Sequence, residues 1–335
     1  MKLKINILTS ADYPTFSHEF DEKKYGSVYD VHENCYDQDI VWDIILVYEN
    51  IKHPVCLKHH KGGLLFCSGE PPLSRVYPQQ FVNQFNVFRT THRHISHPNV
   101  INSHIALNWH FGLSFKTKNQ KYKFEELCNL PCPSKEKLFS VVTSSKKMMP
   151  GHNYRQNLIA NLQRDFNDYI DFFGDGVNNI EYKCDAILPY KFHICLENTE
   201  VEHYWSEKFS DSLLGYAIPI YAGCPNINDY FDRKGFYQFS IKNYNQLKEI
   251  INGIIQNPDI SYQNHYQAML ANRDKLLHQY TIYEVLGEMI KHSDLSGELV
   301  ETLLLPYQEC RNYKWQYRVM QFKRKLLKMY INLSC

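Results

Sequence analysis

No run of about 18 or more apolar residues, the length a membrane-spanning helix needs, occurs anywhere in this 335-residue chain. The N-terminal MKLKINILTSADY turns polar after a short apolar run, too short for the core of a secretory leader. Cysteine occurs ten times but never as a CxxC pair; Cys128 and Cys132 stand closest. That spacing suggests neither a disulfide framework nor a zinc site, and thiols such as Cys67 and Cys195 lie in apolar runs, as core residues do. Net charge is nearly missing too, +1 from 37 Lys and Arg against 36 Asp and Glu. There is no whole-protein field to grip nucleic acid, so an anionic ligand must be held by local charge. These absences point to a reducing, cytoplasmic setting for a protein that is soluble or peripheral on a membrane surface.

What is present is ordinary in bulk: 44% hydrophobic and 22% charged residues, over a length that two domains suit better than one. In the first half, 3–8 (LKINIL), 43–48 (DIILVY) and 63–67 (GLLFC) read as strands, with polar exits at 8–10 and 67–72. Open α/β sheets bind ligands at that edge. PCPSKEK (131–137) reads as a linker. A second series follows with the strand 138–143 and a helix over 155–168, where Leu158, Ile159, Leu162 and Phe166 share a face. Next come YIDFF (169–173), the strand 191–196, a helix-to-strand passage into AIPIYAG, and a helix over 240–255. Alternating strands and helices predict two α/β domains with mostly parallel sheets, 1–135 and 136–305. The remainder, 306–335, reads as a basic amphipathic tail. Its segment 313–333 carries six Lys or Arg and no acid. Such a helix either lies on an anionic membrane surface or packs its apolar face on the protein.

The densest chemistry is in 197–223, ENTEVEHYWSEKFSDSLLGYAIPIYAG, directly after the apolar YKFHICL. A strand ending at Leu196 and a helix starting near Ser206 would aim free backbone N–H groups and a positive dipole end at the loop between them. Ser206 suits the N-cap. Lys208, in the first turn, opposes the dipole and makes sense where an anion such as a diphosphate is held. Glu197 and Glu207 would then accept from ribose or sugar hydroxyls. The alternative is a plain helix start with surface acids and a solvated lysine.

The stretch 190–223 also resembles the signature of glycosyltransferase family 10, the α-1,3-fucosyltransferases. Tyr190, Lys191, Phe192, Glu197, Asn198, Tyr204, Glu207, Lys208, Pro219 and Gly223 fit the pattern, and Ser206 keeps the hydroxyl of the usual Thr. The resemblance implies a GT-B fold, two Rossmann-like domains facing across a cleft, the second binding GDP-fucose without metal or other cofactor. It places Lys208 at the diphosphate, Glu207 at ribose or sugar, and Asn198, Tyr204 and Ser206 around the donor. Upstream, 141–162 is similar to the family segment that supplies a phosphate-contacting arginine. Gly151, His152 and Arg155 fit a G-H-x-x-R version, with Lys146 and Lys147 as alternatives; the competing reading of Arg155 is an exposed arginine on an amphipathic helix. In the first half, 64–103 resembles the acceptor-domain stretch whose glutamate serves as base. Glu70 holds that position, before two stiffening prolines; without the resemblance it reads as a turn residue. Inversion requires such a base for the acceptor hydroxyl. His92, His94 and His97 read as polar lining and not as a metal site. The implied activity is inverting transfer of L-fucose from GDP-fucose to a glycan hydroxyl. A different nucleotide sugar, or an idle glycan- or nucleotide-binding protein, are the other readings.

Overall fold

A computed structural model describes residues 2–11, 16–143, 150–174 and 177–334, with backbone alone for 150–152 and 331–334. The chain forms two compact units, Met1–Ala106 with Ile282–Arg324 and Leu107–Thr281 with Lys325–Cys335.

The first unit is built on a parallel sheet in the spatial order Tyr29–Glu33, Leu3–Thr9, Ile44–Tyr48, Leu64–Cys67, Val87–Thr90, Val100–Asn102. Every residue of Ile44–Tyr48 and Leu64–Cys67 is buried. Both faces of such strands are covered, which is why they read as unbroken apolar runs without alternation. Phe66 stacks on Phe88 at 4.3 Å, in a core that also takes Tyr77, Phe81 and Phe85. The chain returns to this unit late: Leu299–Leu304 pairs antiparallel with Val55–His60, which runs parallel to Val41–Trp42.

The second unit has the parallel order Ile170–Gly174, Lys137–Thr143, Tyr190–Leu196, Ile218–Ala222, Tyr237–Gln238. Its helices include Pro150–Phe166, Glu207–Leu214, Tyr244–Gln256 and Pro258–Gln279. Leu158, Ile159, Leu162 and Phe166 are buried together, as their spacing predicts. In both sheets the earliest strand lies second in space, so the chain winds outward in opposite directions from it. The switch points fall between Leu3–Thr9 and Ile44–Tyr48, and between Lys137–Thr143 and Tyr190–Leu196. The crevice outside the strand C-termini at such a point is where doubly wound sheets hold ligands.

The α/β reading with parallel sheets stands, but the units divide elsewhere than at 135 and 305. Trp109, Phe111, Phe124 and Leu127 are buried in the second core, so the first break falls after Ala106. The expected linker lies inside the second unit, where Lys135 Nζ donates to the carbonyls of Leu188 (2.8 Å) and Gly215 (2.5 Å). The return strand Leu299–Leu304 explains why Ile282–Arg324 groups with the first unit. The expected tail begins with the 3-10 turn Tyr307–Glu309, and its long helix runs over Tyr313–Ser334. The long helix Pro258–Gln279 escapes the pattern because its buried face is partly polar: Asn272 accepts from Asp232 N (2.7 Å) and donates to Asp232 O (2.8 Å). Among the described residues no helix is long and apolar enough to cross a membrane.

Candidate active site

The 190–223 signature separates into two ends of one strand. At the N-terminal end, Tyr190 donates to Asp171 Oδ2 (2.5 Å), Lys191 Nζ lies 2.9 Å from Asp259 Oδ1, and Phe192 is in the core. These three residues hold the strand in place. At the other end, Glu197 extends the ladder by donating its N–H to Ala222 O (2.9 Å) and turns its carboxylate inward, 1% exposed. Ser206 N donates to Oε1 (2.8 Å), and Ser206 Oγ lies 2.7 and 2.8 Å from the two oxygens. Lys208 Nζ is 3.4 Å from Oε2. Gly223 is required by this packing: a Cβ there would come within 2.4 Å of Glu197 Cγ and of Tyr221 Oη.

Ser206 caps the eight-residue helix Glu207–Leu214 by accepting from Lys208 N (3.3 Å). Lys208 Nζ sits 2.9 Å from Glu207 Oε1, so two carboxylates offset a cation placed against the helix dipole. Burial opposes the charge of each, yet Glu197 and Glu207 hold the Lys208 ammonium above its ordinary range, and Lys208, Lys183 and His110 hold Glu207 well below the usual carboxylate range. Beneath them lies Asp211, fully buried, accepting from His110 N (3.1 Å) and 2.9 Å from Lys183 Nζ. Burial pushes Asp211 up to about 6, against the pull of Lys183. Lys183 also donates to Glu207 O (3.4 Å). Sequence reasoning missed this support. Its signal was Asp211 itself, an acid in the helix run Phe209–Leu214, which is buried throughout.

Arg155, on Pro150–Phe166, is 5% exposed and donates from Nη1 to Asn198 Oδ1 (2.7 Å). It is not the exposed arginine of the competing reading. Burial lowers its pKa while Glu197 and Glu207 raise it, so its charge and theirs share one neighbourhood. Lys146 and Lys147 lie outside the described residues, as does the side chain of His152. Glu197, expected to accept from a sugar hydroxyl, accepts in this structure from Ser206 and lies 3.4 Å from Lys208 Nζ. Tyr204 and Ser206 are buried with it. Glu207 and Lys208, 18% and 23% exposed, are the charged pair that reaches solvent at this end of the strand.

In the first unit, Glu70 follows Ser68 and Gly69 at the C-terminal end of Leu64–Cys67 and is half-buried. Its carbonyl accepts from His92 Nε2–H (2.9 Å). Burial pushes His92 down to about 4, so the ring is neutral at physiological pH. A second carboxylate, missed in the sequence, organises this turn. Glu49, 8% exposed with φ 64°, accepts from Arg75 Nε (2.7 Å), Gly69 N (2.7 Å) and Tyr77 Oη (2.6 Å). Burial raises its pKa and Arg75 opposes. Glu49 takes in the first sheet the place of Glu197 in the second. Each follows the strand at the switch point and donates its N–H to the next strand, Glu49 to Cys67 O (2.8 Å) and Glu197 to Ala222 O (2.9 Å). The available signal was a glutamate directly after the apolar run IILVY. Of the histidine cluster, His97 Nε2–H donates to Phe85 O (3.0 Å). Among the described residues no three His, Cys, Asp or Glu side chains group as a metal site.

Two doubly wound parallel sheets, one in each unit, and a Glu–Lys pair at a capped helix N-terminus beside the second switch point match the α/β architecture that the resemblance implies. Residues 132–280 match the family described as glycosyltransferase family 10 (fucosyltransferase) C-term. It is similar to alpha-(1,3)-fucosyltransferase FucT of Helicobacter pylori, 34% identical over 74 residues, 22% of this chain and 16% of that protein. Alpha-(1,3)-fucosyltransferase B of Drosophila melanogaster is 33% identical over 112 residues, 33% of this chain and 25% of that protein. The chain thus aligns with a quarter or less of these relatives' lengths. Among solved structures, a crystal structure of alpha1,3-fucosyltransferase with GDP-fucose is 17% identical, covering 84% of this chain and 92% of that one at a TM-score of 0.46.

Proposed function

We propose that the protein transfers L-fucose from GDP-fucose to a hydroxyl of a glycan acceptor, with inversion at the anomeric carbon. The observation that carries this reading is the Glu207–Lys208 pair at the capped N-terminus of Glu207–Leu214, inside the segment that matches the fucosyltransferase family. As the bond to GDP breaks, negative charge grows on the departing diphosphate. Lys208, Arg155 and the free N–H groups of the helix start stabilise that charge without calling on a metal. A diphosphate at Lys208 competes with Glu207 for the ammonium and leaves the Glu207 carboxylate to a ribose or sugar hydroxyl. Glu70 removes the proton of the attacking acceptor hydroxyl. The relatives' names support fucose and a 1,3 linkage.

The C-terminal helix supports peripheral contact with an anionic membrane surface from the cytoplasmic side. Trp315, Phe322, Leu326, Met329 and Tyr330 are exposed along one stripe of Tyr313–Ser334, among Lys314, Arg318, Lys325 and Lys328.

The test is transfer onto a glycan array with GDP-fucose, GDP-mannose and UDP-sugars in parallel, followed by linkage analysis. Equal use of another donor overturns the choice of fucose. Donor binding without turnover of any donor supports the idle-binder reading instead. Glu70→Gln should keep GDP-fucose binding and lose transfer by about 10²–10⁴-fold; undiminished transfer removes Glu70 as base.

A further inference from the structure

The C-terminal helix has a second face, turned into the first unit. The Tyr313 ring lies 5.3 Å from that of Tyr307, Met320 is 4% exposed, and Arg324 is 8% exposed. The spacing 313, 320, 324 puts all three on one side of the helix. Arg324 does not end on a carboxylate. Its Nε donates to Leu73 O and its Nη2 to Ser74 O (2.8 Å), so one planar guanidinium holds two successive carbonyls.

Those carbonyls belong to the turn that follows Glu70. Pro71 O accepts from Ser74 N (2.7 Å) and Arg75 N (3.3 Å), closing the turn. Its two ends are tied down by Glu49, through Gly69 N and Arg75 Nε. Arg75 in turn lies 5.7 Å over the Tyr307 ring on which Tyr313 packs. The segment 69–75 is therefore fastened at both ends by one buried acid and at its crown by one arginine. Burying an arginine costs free energy that two neutral carbonyls repay only in part. Burial lowers the Arg324 pKa, with Tyr317 pulling against it, Arg75 adding to it and the charge of Glu70 acting more weakly in favour of the charged form.

We propose that Arg324 is a positioning residue for Glu70, and that the C-terminal helix straps the base-bearing turn into its working geometry. The proposal rests on the reading of Glu70 as base. An unstrapped turn retains its Glu49 anchors but loses the clamp on residues 73 and 74, which lets the Glu70 carboxylate wander from the acceptor hydroxyl. The chemical step suffers and the donor site does not, because Glu207, Lys208 and Arg155 belong to other elements.

The experiment compares Arg324→Ala and Arg324→Lys with the parent, using GDP-fucose and the best oligosaccharide from the array, with GDP affinity by calorimetry and folding by circular dichroism. In Arg324→Ala, kcat should fall about 10- to 100-fold, the scale of a misplaced catalytic group. GDP affinity should stay within about twofold. Arg324→Lys should recover part of kcat, since an ammonium is a point charge and not a fork. Free guanidinium ion should partly rescue Arg324→Ala. A kcat that is unchanged, or that falls together with GDP affinity and helical signal without rescue, overturns the proposal. The double variant separates it from the base assignment. If Arg324 acts through Glu70, adding Arg324→Ala to Glu70→Gln costs nothing more, and additive losses overturn the coupling. Full transfer by Glu70→Gln alone removes the base reading, whatever Arg324→Ala does.

Discussion

Glu197→Gln decides between two roles for the glutamate that opens the family signature. A carboxylate that receives a sugar hydroxyl is worth donor affinity; one that builds the helix start is worth stability. The geometry favours the second: 1% exposure, both oxygens in contact with Ser206, and Lys208 at 3.4 Å. Glutamine keeps one oxygen for Ser206 N but turns an amide NH2 toward Lys208 Nζ, which cannot accept, and toward Ser206 Oγ, which already accepts from Lys208 N and Nζ. A hydrogen bond to a charged partner contributes about 1.5–3 kcal/mol net, and breaking a buried ion pair costs about 3–5 kcal/mol. Lys208 keeps Glu207 at 2.9 Å and reaches solvent, which places the loss at the lower end. About 2–3 kcal/mol follows, and at about 2–4 °C per kcal/mol for a unit of this size the midpoint should drop by about 4–12 °C. Differential scanning calorimetry reads that drop and GDP titration reads the site. A variant that melts with the parent but binds GDP-fucose more than about tenfold weaker refutes the reasoning and returns Glu197 to the ligand.

Asp211, buried and pushed up to about 6 from 3.8, contributes stability that is fully present below pH 3.8 and is lost as pH rises through about 6. Asp211→Asn should therefore gain on the parent in urea midpoint between about pH 4 and pH 7, and parallel pH profiles would falsify the assignment. The exposed stripe of the C-terminal helix is tested by Trp315→Ser with Phe322→Ser, at residues 67% and 62% exposed and away from the Tyr313–Met320–Arg324 face. The pair should lower sedimentation with phosphatidylserine vesicles and leave the melting temperature unchanged; equal sedimentation rejects the membrane role.

The elements easiest to read were those whose burial is complete. IILVY and LLFC announce strands because both faces of a parallel sheet need apolar cover, and the Leu158–Phe166 face announces a helix by its period. Pro258–Gln279 was illegible because Asn272 and Arg273 are buried where a pattern needs hydrophobes. The unit boundaries were illegible because they depend on partners far away in the chain, Leu299–Leu304 on Val55–His60 and Trp109 on the second core.

The candidate site divides along the same line. Glu207, Lys208 and Ser206 are neighbours in sequence, and a cap with a first-turn charge pair is a local matter, so the residues alone determined that a helix N-terminus there carries a displaced lysine. Whether each acid faces a ligand or the interior depends on depth below the surface, and depth is decided only when strands stack. Tertiary structure turned the Glu197 carboxylate inward onto Ser206, buried Asp211 beneath the helix, brought Glu49 under the turn of Glu70 and set Arg324 over it from about 250 residues away. The physical reason is that a carboxylate or guanidinium looks the same in sequence at any burial, while its role follows from which donors and acceptors the fold leaves within 3 Å.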